Sequence, residues 1–335
     1  MTPTLSIVVP CYNEEDALAH FFATMRAELD ALGESWEIVC VNDGSRDGTL
    51  PRLVAEARSD SRVRVVDLSR NFGKEAALTA GLDLARGQAV VPIDVDLQDP
   101  PALIGDMLAK WREGYDMVYA TRVERESDTV VKRMTASLFY TFYNRLTTVA
   151  IPPNAGDFRL MDRRVVDALR QLPERNRFMK GLFSWPGFKQ AEITYTRQQR
   201  QHGTTKFNYW KLWNFAIDGL TAFSTVPLRI WTYLGGGIAM LAFVYAAFLI
   251  VRTLLYGIDV PGYASLMVVI LFLGGVQLIS LGIIGEYLGR TYDEVKQRPI
   301  YLIDTVYAYT DASAAAPDSA DATRQEPATA ERAAE

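Results

Sequence analysis

The chain has 335 residues, 49% of them hydrophobic and 22% charged, and a formal net charge of -5 at pH 7. This length fits one large domain or two modest ones, and the mildly acidic balance argues against nucleic acid as a partner. Cys11 and Cys40 lie inside apolar runs without zinc-ligand spacing, and the two histidines, His20 and His202, are far apart. The pattern speaks for reduced, buried thiols and against a histidine metal cluster or a histidine-centred triad.

Residues 5–122 alternate strand-like and helix-like patterns. LSIVVP (5–10) reads as a buried strand. It is too short for a signal peptide and lacks the basic flank, so this part of the chain is expected in the cytosol. Asn13 is placed to cap the helix that follows. WEIVCVN (36–42), VRVVDLS (63–69), AVVPID (89–94) and DMVYATR (116–122) supply four more strands. Helices are expected near 73–86 and within PPALIGDMLAKWREG, which opens on proline. Such alternation predicts an α/β fold with a mostly parallel sheet and helices on both faces, where ligands gather at the carboxyl ends of the strands. Asn13, Asp43, Asp94 and Asp96 fall at those ends.

Two amphipathic, aromatic stretches follow: TVVKRMTASLFYTFYNRLT (129–147) and FNYWKLWNFAIDGLTAF (207–223). Tyr209, Trp210 and Trp213 in the second are residue types of the membrane interface. Residues 230–251 and 260–285 contain no charged side chain. Each is long enough for the roughly 30 Å hydrocarbon core, which takes about 20 helical residues. The linking RTLLYGID holds one basic residue, whereas Arg290, Lys296 and Arg298 follow the second run, so both termini are expected on the cytosolic side. The last 25 residues, rich in Ala, Asp and Glu, read as a disordered tail.

VVPIDVDLQDPP (90–101) ends a buried-strand pattern in three aspartates. Extended spacing would set Asp94 and Asp96 on one face, where like charges repel unless a cation lies between them. The stretch itself contains no lysine or arginine. Two carboxylates and the neutral oxygen of Gln98 suit Mg²⁺ or Mn²⁺, ions that keep waters and bind substrate phosphates. Asp99, before two prolines, reads as a helix cap. In VNDGSRDGT (41–49), Asp43 ends a strand and can accept hydrogen bonds from a nucleobase or ribose, Gly44 permits a tight turn, and Asp47 can cap the next helix. RNFGKEAALTAG (70–81) sets Arg70 and Lys74 around a glycine at a helix start, fit for phosphate or base contact. NAGDFRLMD (154–162) offers Asp157 and Arg159 in a strand-like stretch. RQQRQHGTTKFNYW (197–210) brackets Gly203 with Arg197, Arg200 and Lys206, a phosphate clamp or a positive-inside signal. Taken singly, each stretch also fits a plain turn, a surface helix start or a solvated loop.

Together, SIVVPCYNEE, VNDGSRDGT, SRNFGKEAALTAGL, DVDLQDPP, GDFRLMDRRVV and RQHGTTKFNYWKLWNFAIDG resemble the polyprenyl-phosphate glycosyltransferases of glycosyltransferase family 2. The nearest subgroup is the bactoprenol (undecaprenyl-phosphate) glucosyltransferases, related to dolichol-phosphate mannose synthase, and the resemblance runs from about residue 5 to about residue 300. It implies a GT-A type nucleotide-sugar domain over 1–206, an interfacial juxtamembrane helix over 207–228, two transmembrane helices over 229–289, a cytosolic segment over 290–310 and the tail over 311–335. It implies that Pro10, Tyr12, Asn13, Glu14, Asp43 and Lys74 line the nucleotide site and that Asp94, Asp96 and Gln98 hold Mg²⁺ or Mn²⁺. Asp157 matches the position of the family's candidate catalytic acid, and Arg122, Arg133, Arg200 and Lys206 would meet the lipid phosphate. Val95 stands where the family often has a smaller residue, and its side chain is expected to point away from the ion. The implied reaction is inverting transfer of a hexose, glucose from UDP-glucose, to a polyprenyl phosphate at the cytosolic face of a bacterial inner membrane, by an integral membrane protein that assembles as a homo-oligomer, a tetramer by resemblance. Another donor such as GDP-mannose, or a non-catalytic sugar-nucleotide sensor, are the alternatives. A processive polysaccharide synthase is disfavoured because no Arg-Trp pair occurs in the chain.

Overall fold

The computed structural model describes residues 2–122, 152, 155–175, 177–195, 226–256 and 262–309. Arg133, Arg200, Lys206, the amphipathic stretches 129–147 and 207–223, and the tail 311–335 lie outside the described residues.

Four strands form the parallel centre of the sheet. β1 (Leu5–Cys11) pairs with β2 (Trp36–Asn42) on one side and β4 (Ala89–Pro92) on the other, and β2 pairs with β3 (Val63–Leu68). Helices cover both faces, which is why these strands read as near-continuous apolar runs. Alternation along β1 divides the core. Leu5, Ile7, Val9 and Cys11 join Phe21, Phe22, Met25 and Leu29 of α1 (Leu18–Ala31) and Leu53 of α2 (Thr49–Ser59). Val8 faces the opposite way, onto Leu78 and Leu82 of α3 (Lys74–Leu84). Both cysteines are buried and unpaired.

Beyond β4 the sheet departs from simple parallel alternation. After α4 (Leu103–Arg112), β5 (Met117–Arg122) does not pair with β4. β6 (Ala155–Asp162) enters between them, antiparallel to both. β7 (Gln190–Tyr195) adds parallel to β5, and β8 (Ile303–Tyr307) adds antiparallel to β3. The order is β7-β5-β6-β4-β1-β2-β3-β8, a mixed α/β sheet of eight strands. The inversion of β6 has a consequence for chemistry: it returns the start of that strand to the carboxyl end of β4. α5 (Arg163–Arg170) follows β6 at once, capped by the Asp162 carboxylate, which accepts from Arg164 N. α6 (Met179–Ser184) packs Leu182 and Phe183 beside Met161 of β6.

α7 (Val226–Tyr256) covers the first uncharged run, and α8 (Tyr263–Lys296) covers most of the second. Among the described residues one stretch, Phe272–Lys296, is long and apolar enough to cross a membrane, and Tyr233–Tyr245 is a shorter apolar stretch. The end of α8 is tied to the sheet domain. Arg175 N donates to Glu294 Oε1 and Arg175 Nε to the Arg298 carbonyl, both at 2.8 Å, and Tyr301 donates to Asp83 at 2.8 Å before β8 joins the sheet.

Candidate active site

The loops that leave β1 and β2 are bound to each other. Asn13 N donates to Ser45 Oγ at 3.0 Å, and Arg46 N donates to Asn13 Oδ1 at 2.9 Å. Glu14 N reaches Thr49 Oγ1 at 2.9 Å, and Gly48 N reaches Glu15 Oε2 at 2.8 Å. Asn13 therefore does not cap α1, which starts at Leu18 without a side-chain cap. With φ at +56° it turns the chain and staples the second loop instead. Asp47 does satisfy the first helical N–H of α2, accepting from Thr49 N at 3.0 Å. Pro10 is next to last in β1, in register with Val41, and Tyr12 stands 45% exposed just beyond the strand, presenting a flat ring at the strand ends.

Asp43 is buried at the end of β2 and accepts from Phe72 N at 2.6 Å and Gly73 N at 2.9 Å. Burial raises its pKa from the ordinary value, against the lowering pull of those two amides and of Arg70. Both Asp43 oxygens are thus engaged in holding the loop that starts α3. Gly44 makes this possible. Its φ is +63°, and an added Cβ would lie 2.5 Å from Asn71 N. Gly73, with φ at +99°, then delivers Lys74 as the first residue of α3.

β4 ends at Pro92, so Asp94 and Asp96 lie not on an extended strand but in a turn, closed by Leu97 N donating to the Asp94 carbonyl at 3.3 Å. Val95, between them, is buried in the core, whereas Asp94 is half-buried and Asp96 exposed. Asp96 accepts from Gln98 Nε2 at 2.7 Å and from Gln98 N at 3.3 Å. Asp94 faces elsewhere. Lys74 Nζ lies 2.8 Å from both of its oxygens and 2.9 Å from Asp157 Oδ2. The antiparallel pairing of β6 with β4 carries the early residues of β6 to the carboxyl end of β4, where one ammonium reaches both Asp94 and Asp157. Asp99 is a further correction: α4 has no side-chain cap, and Asp99 instead accepts from the Tyr195 hydroxyl at the end of β7. Arg122 closes β5 in register with Tyr195.

Beneath Asp157 lies a layer of charge that the sequence reading missed in part. Burial works to raise the Asp157 pKa, but Lys74, Lys180 and Arg159 outweigh it and hold the carboxyl below its ordinary range. Arg159 is buried, donates to the Gly156 carbonyl at 2.6 Å and stacks 4.0 Å from the Phe183 ring centre, while its Nε has no partner. Burial pulls its pKa down to about 10. Burial also lowers Lys180, on α6, against the attraction of Asp157 and Glu75. Glu75 accepts from Met179 N at the start of α6, leaves Oε2 without a partner, and is pushed up to about 7 by burial and by Asp157. Glu75 and Lys180 carried one usable signal, a charge set in an otherwise apolar stretch, KEAAL and FMKGLF.

Among the described residues no three acidic, histidine or cysteine side chains converge into a complete metal cage. The Asp94 carboxylate, which already closes on the Lys74 ammonium, nevertheless fits, with Asp96 in the same turn, a cation that takes its other ligands from water and a substrate diphosphate.

Residues 6–170 match the family model described as glycosyl transferase family 2, and residues 226–291 match one described as a GtrB C-terminal hairpin. A glycosyltransferase of Synechocystis sp. is 60% identical over 307 residues, covering 92% of this chain and 96% of the relative. A prophage bactoprenol glucosyl transferase homolog of Escherichia coli is 51% identical, covering 90% and 99%. A prophage-derived bactoprenol glucosyl transferase of Shigella flexneri is 52% identical, covering 89% and 97%. Identity at this level over nearly the whole length of each relative, joined to a GT-A-like sheet with its acids at the parallel strand ends, makes this chain a glycosyltransferase of family 2, homologous to the bactoprenol glucosyl transferases.

Proposed function

We propose that the protein transfers glucose from UDP-glucose to a polyprenyl phosphate at the cytosolic face of a membrane, with inversion at the anomeric carbon. The relatives named bactoprenol glucosyl transferase support both the sugar and the lipid. Tyr12 and the locked loops around Asn13, Glu14 and Asp43 form the nucleotide side of the site. Asp94, Asp96 and Gln98 would hold Mg²⁺ or Mn²⁺, which would offset the charge developing on the leaving diphosphate. Arg122, with Arg133, Arg200 and Lys206, would meet the acceptor phosphate.

The observation that carries this reading is the Asp157–Lys74 pair at 2.9 Å. A carboxylate held ionised by an ammonium is a poor proton acceptor. A sugar hydroxyl acceptor needs a base; a lipid phosphate is already an anion at neutral pH and does not. Asp157, held ionised by Lys180 and Arg159 as well as by Lys74, then positions the reacting groups without taking a proton. α7 and α8 serve as two membrane-spanning helices. Tyr233 is 78% exposed, Phe243 74% and Leu254 81%, and lipid is the cover that suits such side chains.

The test is lipid-product analysis. Purified protein with undecaprenyl phosphate and labelled UDP-glucose should yield a glucosylated lipid, and GDP-mannose should not substitute. Asp157→Asn should lower kcat about 100-fold, the scale of a misplaced reacting group, with an unchanged pH profile in the residual activity. A near-neutral limb that vanishes in Asp157→Asn would instead make Asp157 a base. Product formed from GDP-mannose alone would replace the donor.

A further inference from the structure

The Lys74 ammonium stands where a cation would be expected between acids. Its Nζ is 2.8 Å from both Asp94 oxygens and 2.9 Å from Asp157 Oδ2. The backbone that carries it is fixed: Asp43 grips Phe72 N and Gly73 N, and α3 begins at Lys74. The side chain is not fixed in the same way, since 46% of it is exposed. A rigid root with a long, half-exposed stem allows the ammonium to swing while the helix stays in place. Asp94 and Asp157 together carry two negative charges against this single positive one. A divalent ion brought to Asp94 therefore meets a site already occupied by like charge.

We infer that Lys74 is a tethered placeholder: without nucleotide it holds Asp94 in the place of the divalent ion, with Asp157 as its second anchor, and it moves onto the substrate diphosphate when ion and nucleotide arrive together. The ion and the nucleoside diphosphate are then bound as a unit. Free ion alone must displace the ammonium with nothing to receive it, whereas a diphosphate offers that ammonium new oxygens. This inference rests on the divalent-ion site of the proposed function and adds to it the order and coupling of binding. It also gives Lys74 a role distinct from that of Lys180, which lies within electrostatic reach of Asp157 but forms no ion pair with it among the described residues.

Mn²⁺ titration of the full-length protein in detergent, followed by the electron paramagnetic resonance signal of free Mn²⁺, tests it with and without UDP. The wild type should bind Mn²⁺ at least about tenfold more tightly with UDP than without. Lys74→Met should raise the UDP-free Mn²⁺ affinity about tenfold or more, because a full charge beside the ligands is removed, and should weaken UDP binding. Lys74→Gln is measured beside it, and Lys180→Met controls for a general change of charge, expected to move UDP-free Mn²⁺ affinity less than about threefold. Equal wild-type affinity with and without UDP overturns the placeholder, as does an equal gain in Lys180→Met; the wild-type arm decides even if both Lys74 variants misfold. Absence of Mn²⁺ binding in the wild type under both conditions overturns the ion site of the proposed function along with it.

Discussion

The two sides of the site are held together in different ways. Around β1 and β2, the loops are joined by backbone N–H groups donating to side-chain oxygens of Asn13, Glu15, Asp43, Ser45, Asp47 and Thr49. Between β4 and β6, the contacts are among charged side chains, Lys74 with Asp94 and Asp157, over Glu75, Arg159 and Lys180. The first side spends its polar atoms on backbone and so has a shape that an incoming ion alters little. The second leaves Glu75 Oε2 and Arg159 Nε unpartnered and keeps its strongest bonds between groups that a charged ligand can rearrange. On the proposed function, the nucleotide's base would meet the rigid side and its phosphates the responsive one.

Gly44→Ala should break the rigid side most severely. The new Cβ would lie 2.5 Å from Asn71 N and 2.6 Å from the Arg70 carbonyl carbon, both backbone atoms, at a φ of +63°. Backbone strain and overpacking together predict a loss of about 3 kcal/mol, read as a fall of several degrees in Tm and a weaker UDP titration. An unchanged Tm would deny the close packing of the two loops.

The contrast also explains what the sequence revealed. The parallel strands were legible because both faces are buried and the apolar runs are continuous, as in WEIVCVN, buried along its whole length. β7 and β8 were not, because they are edge strands only partly buried, with exposed residues at alternate positions. Asp94 and Asp96 suggested a divalent ion by their spacing, whereas Asp157 stood out only as a residue type and resemblance supplied its role. Their partners did not stand out: that Asp157 would join Asp94 on the Lys74 ammonium depends on the antiparallel entry of β6 beside β4, a tertiary fact with no local signature. Asn13 and Asp99 misled for the opposite reason. Each fits a helix cap locally, and in each case a partner distant in sequence, Arg46 or Tyr195, takes the oxygen.

On the responsive side, Glu75→Gln sharpens the comparison through pH. The folded pKa of about 7 lies above the ordinary 4.5, so the unfolded chain gives up this proton first as pH rises. Below about pH 4.5 the carboxyl is neutral in both states and costs nothing; through the interval up to about 7 its ionisation increasingly favours unfolding, and above that the full penalty remains. Gln keeps an acceptor for Met179 N and carries no charge. The variant should therefore be more stable than the wild type by about 2 kcal/mol at pH 8, allowing for partial access of solvent, and nearly equal to it at pH 4.5. Thermal unfolding at the two values measures this, and a gain independent of pH would contradict it.

The smallest effect separates two costs at one residue of the rigid side. Asn13 contributes a backbone at φ +56° and an oxygen that accepts from Arg46 N at 2.9 Å. Asn13→Ala loses both: about 1 kcal/mol for a left-handed conformation that Ala resists, and about 1 kcal/mol for the hydrogen bond. Asn13→Gly loses the bond but accepts the conformation readily, at a small entropic cost in the unfolded chain. Gly should therefore lie between the wild type and Ala in Tm, and neither difference should change between pH 4.5 and 8, since nothing that titrates is removed. If the Asn13 variants shift with pH as Glu75→Gln does, the loops around β1 and β2 are coupled to the charged layer and the two sides of the site are one.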